Sequence, residues 1–224
     1  IVGALYAGGQ RAAALEQLAL GIDALSFFDI SLFNGGKARG LAIQHFVSEQ
    51  LDRRAIEGLP REFAAVAARA SNGAIVIFNR GNTGLAVRAS SAIPSRFEPV
   101  RIGADEYVDG VVASPVPIRA ARALGAQVVI AVNVLPYVQN LPQGASSGRG
   151  GVMLRRKQLF DAEAPEADVV IHPIHTVAGS SMSVSEEYRR AVIAAAEAAT
   201  RAALPRIRQV IAAHSGGGVV ASAH

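Results

Sequence analysis

The run Gln127–Val134, QVVIAVNV, constrains the fold of this chain more than any other stretch. A strand that is apolar at successive positions presents hydrocarbon on both faces, so both faces must be covered, and helices are the usual cover. Covering both faces requires crossover connections, and crossovers run neighbouring strands parallel. Ile118–Leu124, just ahead of it, reads as a helix. After the basic helical run Val152–Ala162 comes a second apolar strand, Ala167–His172, ADVVIH. This alternation predicts an α/β protein, a three-layer α/β/α sandwich with a mostly parallel central sheet.

Earlier segments carry more local signals. Ile1–Gly9 reads as a helix stopped by Gly8-Gly9, and Gln10–Leu20 as an amphipathic helix ended by Gly21. Ile22–Phe33, IDALSFFDISLF, holds three phenylalanines and reads as core packing, with the wall of an apolar acyl pocket as the other use. Asn34–Gly40 is a glycine-rich turn before the helix Leu41–Leu51. Such a turn can hold a phosphate, but its spacing fits neither the P-loop nor the dinucleotide fingerprint. Glu62–Ala70 and Ala74–Phe78 are strands joined at Ser71-Asn72-Gly73, a hairpin signal. Thr83 caps a helix Gly84–Ser91 that Pro94 ends. Near the end, Ser185–Ala203 is an Ala-rich helix expected to stop at Pro205, with a short continuation to Ala213. We expect one domain over 1–214 and a frayed tail over 215–224.

Composition removes several function classes. The net charge of +4 on 224 residues is modest, and the arginines are scattered, so no nucleic-acid partner is expected. There are no cysteines, which excludes disulfides and thiolate metal sites. His172 and His175 lie close in sequence but lack the further ligands a metal needs, so no metal site is expected there. No apolar run reaches the ~18 residues of a membrane-spanning helix. Cytoplasmic or peripheral-membrane placement follows, with a signal peptide left open.

The candidate chemistry sits on one acid. Phe97–Ile102 reads as a strand, Gly103-Ala104-Asp105 as a turn, Glu106–Val108 as a second strand, and Asp109-Gly110 as the turn that follows. A carboxylate so placed is either a solvated turn or an oriented functional group. Gly144-Ala145-Ser146-Ser147-Gly148 matches Gly-x-Ser-x-Gly by letter. It lacks the preceding strand and following helix that make a nucleophile elbow. A Ser146, Asp168, His172 or His175 triad can be written, although Asp168 and His172 stand about 13 Å apart along a strand. His45, His214 and His224 suggest no site.

The phrase Ala89-Ser90-Ser91-Ala92-Ile93-Pro94, then Tyr107-Val108-Asp109-Gly110 and Ser114–Val134, resembles the second half of a bacterial patatin-like phospholipase domain of the neuropathy-target-esterase-like group. Asp109-Gly110 matches that family's Asp-Gly-Gly or Asp-Gly-Ala motif, with a departure at Val111. Ile1–Gly9, IVGALYAGG, resembles the helix that follows the family's nucleophile elbow. The resemblance implies a serine lipid acyl hydrolase that cleaves phospholipid or fatty acyl esters through a Ser–Asp dyad and an acyl-enzyme, with no metal or organic cofactor. Asp109 would be the base and Gly110 the motif glycine. The first strand, the oxyanion loop and the serine are expected in an N-terminal segment ahead of Ile1, roughly one βα unit in size. Two other readings stand beside it: a non-catalytic lipid-binding or regulatory patatin-like module, and a Ser-His-Asp α/β-hydrolase using Ser146. Lipid substrates imply interfacial contact, expected at Arg155-Arg156-Lys157 and at Ile22–Phe33.

Overall fold

The structure is a computed structural model that describes residues 1–29, 36–135, 148–173 and 185–216. The chain divides into two compact units. The first holds Ile1–Ser114 and a short later stretch ending at Arg189; the second holds the rest.

In the first unit, helix α1 (Val2–Ala7) buries Ala4, Leu5 and Ala7 and exposes Val2 and Tyr6. Gly9, at φ +104°, turns the chain into α2 (Ala12–Gly21). A short 3-10 turn, Ala24–Phe27, is capped by the Asp23 side chain. Next comes α3 (Leu41–Gln50), then β1 (Ala65–Arg69) and β2 (Ile75–Phe78), then α4 (Thr83–Ser90). Strands β3 (Val100–Ile102) and β4 (Asp105–Asp109) complete a four-stranded sheet in the order β2-β1-β4-β3. Every pairing in it is antiparallel.

Side-chain size explains how the helices sit on this sheet. Ala67 and Ala68 of β1 are fully buried, and α4 packs over that strand. Helices α3 and α4 approach closely at Gly84, where a Cβ would stand 2.5 Å from the Gln44 carbonyl oxygen. Leu5, Val47, Val87 and Val100 form the dry centre. Each is worth about 1.5–3 kcal/mol of transfer free energy.

In the second unit, α5 (Ile118–Ala123) leads to β5 (Ile130–Val132). Helix α6 (Gly148–Glu163) precedes β6 (Val169–Ile171), which pairs parallel with β5 in the register Ala131↔Val170. Helix α7 (Glu186–Gly216) follows. Ile118, Val129, Ala131 and Phe160 form one apolar cluster, and Val169, Ile171 and Val210 another.

Four expectations need correction. The sheet is not mostly parallel: among the described residues only β5 and β6 run that way. The reason is local, since the turns at Ser71-Asn72-Gly73 and Gly103-Ala104 are far too short for a crossover. Strand β5 is also not covered throughout, as Ile130 is 39% exposed and Val132 46%. The cap of α4 is Asn82, whose side chain accepts from Leu85 N–H, while the Thr83 hydroxyl donates to the Arg54 carbonyl. Finally, α7 runs through Pro205. Proline removes one backbone bond, and strong helix formers on both sides outweigh that loss. Residues 217–224 of the expected tail lie outside the described residues.

Candidate active site

Asp109 is the last residue of β4 and stands opposite Ala67 of β1. Its N–H donates to the Ala92 carbonyl at 2.9 Å, which ties the strand end to the loop after α4. Its Oδ1 accepts from Val111 N–H at 2.8 Å. The carboxylate thus caps the 3-10 turn Gly110–Val112 and is held in one orientation, half-buried.

Gly110 is buried against β1. A Cβ there would stand 2.5 Å from the Val66 carbonyl oxygen and 2.9 Å from its carbon, so only hydrogen fits. Val111 is half-buried and contributes its N–H, so the bulkier third residue leaves the turn intact. Farther along, Ser114 N–H donates to the Gly110 carbonyl at 2.8 Å. The Ser114 side chain is buried, and its Oγ has no hydrogen-bond partner among the described residues. Sequence reasoning had no signal for that hydroxyl.

The loop that receives the Asp109 N–H is itself fixed. Arg96 and Phe97 both donate to the Ile93 carbonyl, and Ala38 bridges to Phe97 through its N–H to the Arg96 carbonyl at 2.9 Å. Phe97 stacks on Phe28 at 5.1 Å, and Phe27 meets Phe46 edge-on at 5.3 Å. These two phenylalanines of the Ile22–Phe33 segment therefore pack against the core. Residues 30–33 lie outside the described residues.

The glycine turn before α3 is already occupied by the protein itself. Asp29 accepts from Gly40 N–H at 2.6 Å and from Leu41 N–H at 2.9 Å, so a carboxylate fills the place a phosphate would take. The signal for this was weak, because Asp29 precedes Gly40 by eleven residues.

The other candidates separate. Asp168 belongs to the second unit, where its Oδ2 accepts from Val129 N–H at 2.8 Å and from Arg122 at 2.6 Å. The Val129 bond, with the Arg122 guanidinium beside it, holds this carboxyl below its ordinary 3.8 against partial burial. The ring of His172 meets Phe160 edge-on at 5.8 Å. His45 is on the exposed side of α3, and His214 Nδ1 bonds the Val210 carbonyl within α7. Ser146, His175 and His224 lie outside the described residues. Among the described residues no group of three His, Cys, Asp or Glu could hold a metal. None of their helices is long and apolar enough to cross a membrane.

Comparison with known proteins bears on the unit that holds Asp109. The patatin-like phospholipase family pattern matches residues 1–122. The chain belongs to the patatin-like phospholipase family. Uncharacterized NTE family proteins of Mycobacterium bovis and Mycobacterium tuberculosis are 30% identical to it over 139 residues, 59% of this chain and 39% of each relative. The patatin-like chain thus spans about two fifths of the length of these curated relatives. The family match takes in α1, the loop after α4, and the Asp109-Gly110 turn. Membership carries with it the α/β class and a lipid acyl hydrolase type of activity for the family as a whole.

Proposed function

We propose that this chain is part of a serine-dependent lipid acyl hydrolase of the phospholipase A or esterase type, with Asp109 as its general base. The observation that carries this reading is the fixed carboxylate at the end of β4, with Oδ1 held by Val111 N–H at 2.8 Å. The family pattern supports a serine ahead of the Ile1–Gly9 run as its partner, on a three-layer α/β/α scaffold. Asp109 would accept the serine hydroxyl proton as the oxygen attacks the acyl carbonyl. Backbone N–H groups ahead of Ile1 would hold the resulting oxyanion. Collapse of that adduct breaks the ester C–O bond, and the departing alcohol takes the proton back from Asp109. Water then attacks the acyl-serine with Asp109 in the same role and releases a fatty acid. The substrates are phospholipids or other fatty acyl esters, and no cofactor enters the chemistry.

The test is fluorophosphonate labelling of the protein expressed with the residues that precede Ile1 in its gene, mapped by peptide mass. Labelling of a serine ahead of Ile1 that slows by about 10²–10⁴-fold in Asp109→Asn is the expected result. Ser146→Ala should label like the parent. A label on Ser146 that is indifferent to position 109 would hand the chemistry to a Ser-His-Asp site. No label at all would make a lipid-binding module the leading reading.

A further inference from the structure

Among the described residues, Arg69, Arg189 and Ser114 each bury a polar atom that has no hydrogen-bond partner. In the two arginines only Nε is left out, since Arg69 pairs with Asp105 at 3.2 Å and Arg189 donates to the Ile22 carbonyl at 3.0 Å. Ser114 has a single side-chain polar atom, and that is the atom without a partner. The residue is 4% exposed, so bulk water does not serve it. Thr83, just as buried, shows what the fold does with a hydroxyl it can satisfy: it donates to the Arg54 carbonyl at 2.7 Å. A buried hydroxyl left without a partner is unfavourable, and an alanine, like its neighbour Ala113, would avoid that penalty.

Ser114 is built into the turn that Asp109 caps. Ala113 and Ser114 donate their N–H groups to the Gly110 carbonyl at 3.0 and 2.8 Å, and Gly110 is pressed onto Val66 of β1. The hydroxyl therefore keeps a fixed place relative to the carboxylate. The start of the chain comes to the same end of β1. Phe63, two residues ahead of that strand, packs against α1, with a ring carbon 3.5 Å from where a Cβ on Gly3 would stand. Desolvation lowers the pKa of the Ile1 amino group from its ordinary 8.0, so the backbone at Ile1 sits among packed atoms. A segment joined to Ile1 thus meets the unit beside the first residues of β1, where the Asp109 turn also lies.

We propose that Ser114 is a positioning residue of this site: its hydroxyl donates to a backbone carbonyl of the segment ahead of Ile1 and holds that segment, with its serine, against the Asp109 turn. That this segment carries the serine rests on the hydrolase reading; the buried hydroxyl and its place do not. Proton transfer from a serine to a carboxylate needs heavy atoms roughly 2.6–3.2 Å apart. A directional bond next to the turn fixes such a distance better than apolar contact alone. Ser114 Oγ makes no hydrogen bond to Asp109, so it acts on the reaction only through the segment.

The test uses the protein expressed with the residues that precede Ile1 in its gene. Amide hydrogen exchange, read by peptide mass, and fluorophosphonate labelling between about pH 5 and 9 are compared in the parent, Ser114→Ala and Ser114→Thr. In Ser114→Ala, exchange ahead of Ile1 should quicken and labelling should slow, each by about five- to tenfold, the worth of one hydrogen bond. Exchange in β1 and β4 and the pH midpoint of labelling should stay as in the parent. Ser114→Thr keeps a hydroxyl and should restore both rates. Should its extra methyl loosen β1 and β4, Ser114→Cys, close in volume and a weak donor, should fall between alanine and the parent. Unchanged exchange ahead of Ile1 in Ser114→Ala would overturn the proposal. So would faster exchange in β1 and β4 of the alanine variant, which would make Ser114 a packing residue, or a shifted pH midpoint, which would put the hydroxyl on Asp109. A parent that does not label, with the exchange effect intact, would end the hydrolase reading and keep the contact.

Discussion

At position 109 an amide would keep the turn and lose the base. Asn retains an oxygen that can accept from Val111 N–H, so Asp109→Asn should unfold within about 0.5 kcal/mol of the parent while its chemistry collapses. Gly110→Ala should behave in the opposite way. Its Cβ would meet the Val66 carbonyl oxygen at 2.5 Å, backbone that cannot step aside. A cost of about 1–3 kcal/mol in urea unfolding is expected, with any activity falling because the carboxylate is displaced. If Gly110→Ala unfolds like the parent, the turn is looser than this packing allows. The turn was legible in the letters Tyr107-Val108-Asp109-Gly110, because Asx and glycine chemistry acts over two or three residues. The Ala92 carbonyl that receives the Asp109 N–H was not legible, since it lies across the loop after α4 and only tertiary structure brings it there.

Elements followed the same division between local and distant causes. The β1–β2 hairpin was readable from Ser71-Asn72-Gly73, with Gly73 at φ +71° and Asn72 Oδ1 accepting from Ala74 N–H. The parallel pairing of β5 with β6 was readable from two apolar runs joined by a helix. Strand order was not readable, because no short-range signal says that β4 inserts beside β1. Pro205 misled, since a strong local breaker is overridden when Ile207 and Val210 beyond it are packed in the unit. Helix α3 shows the reverse case, a start fixed by a distant side chain. Asp29 satisfies two of its first N–H groups, and Asp29→Ala should cost about 1–2 kcal/mol. Asp29→Asn, which still offers one oxygen, should recover about half of that. Equal losses for the two variants would mean that charge at the helix N-terminus matters more than the hydrogen bonds.

Charge is organised at the scale of the whole molecule, and it became visible only once α7 was divided between the units. The second unit carries +5, from ten Lys and Arg against five Asp and Glu, yet it spends every acid on internal contacts, and Asp168 is the most committed of them. Its side chain is 19% exposed and ties Arg122 to the start of the β5 region through Val129. Because its folded pKa lies below the ordinary 3.8, the stability it adds is fully present above that value and is lost as pH falls through the folded one. Asp168→Asn should therefore unfold about 1–2 kcal/mol more easily than the parent at neutral pH, having lost a charge-assisted bond to Arg122. Acid also releases ten cations to repel one another, but it does so in parent and variant alike. The difference between the two urea curves isolates Asp168: constant from pH 7 down to about 5, narrowing below 3.8, and closed once the carboxyl is protonated in the folded state. A gap that stays constant through this range would mean that the carboxylate charge adds nothing beyond the hydrogen bond an amide can also make. The stability of the unit's ion-pair cluster would then be a matter of shape and not of charge.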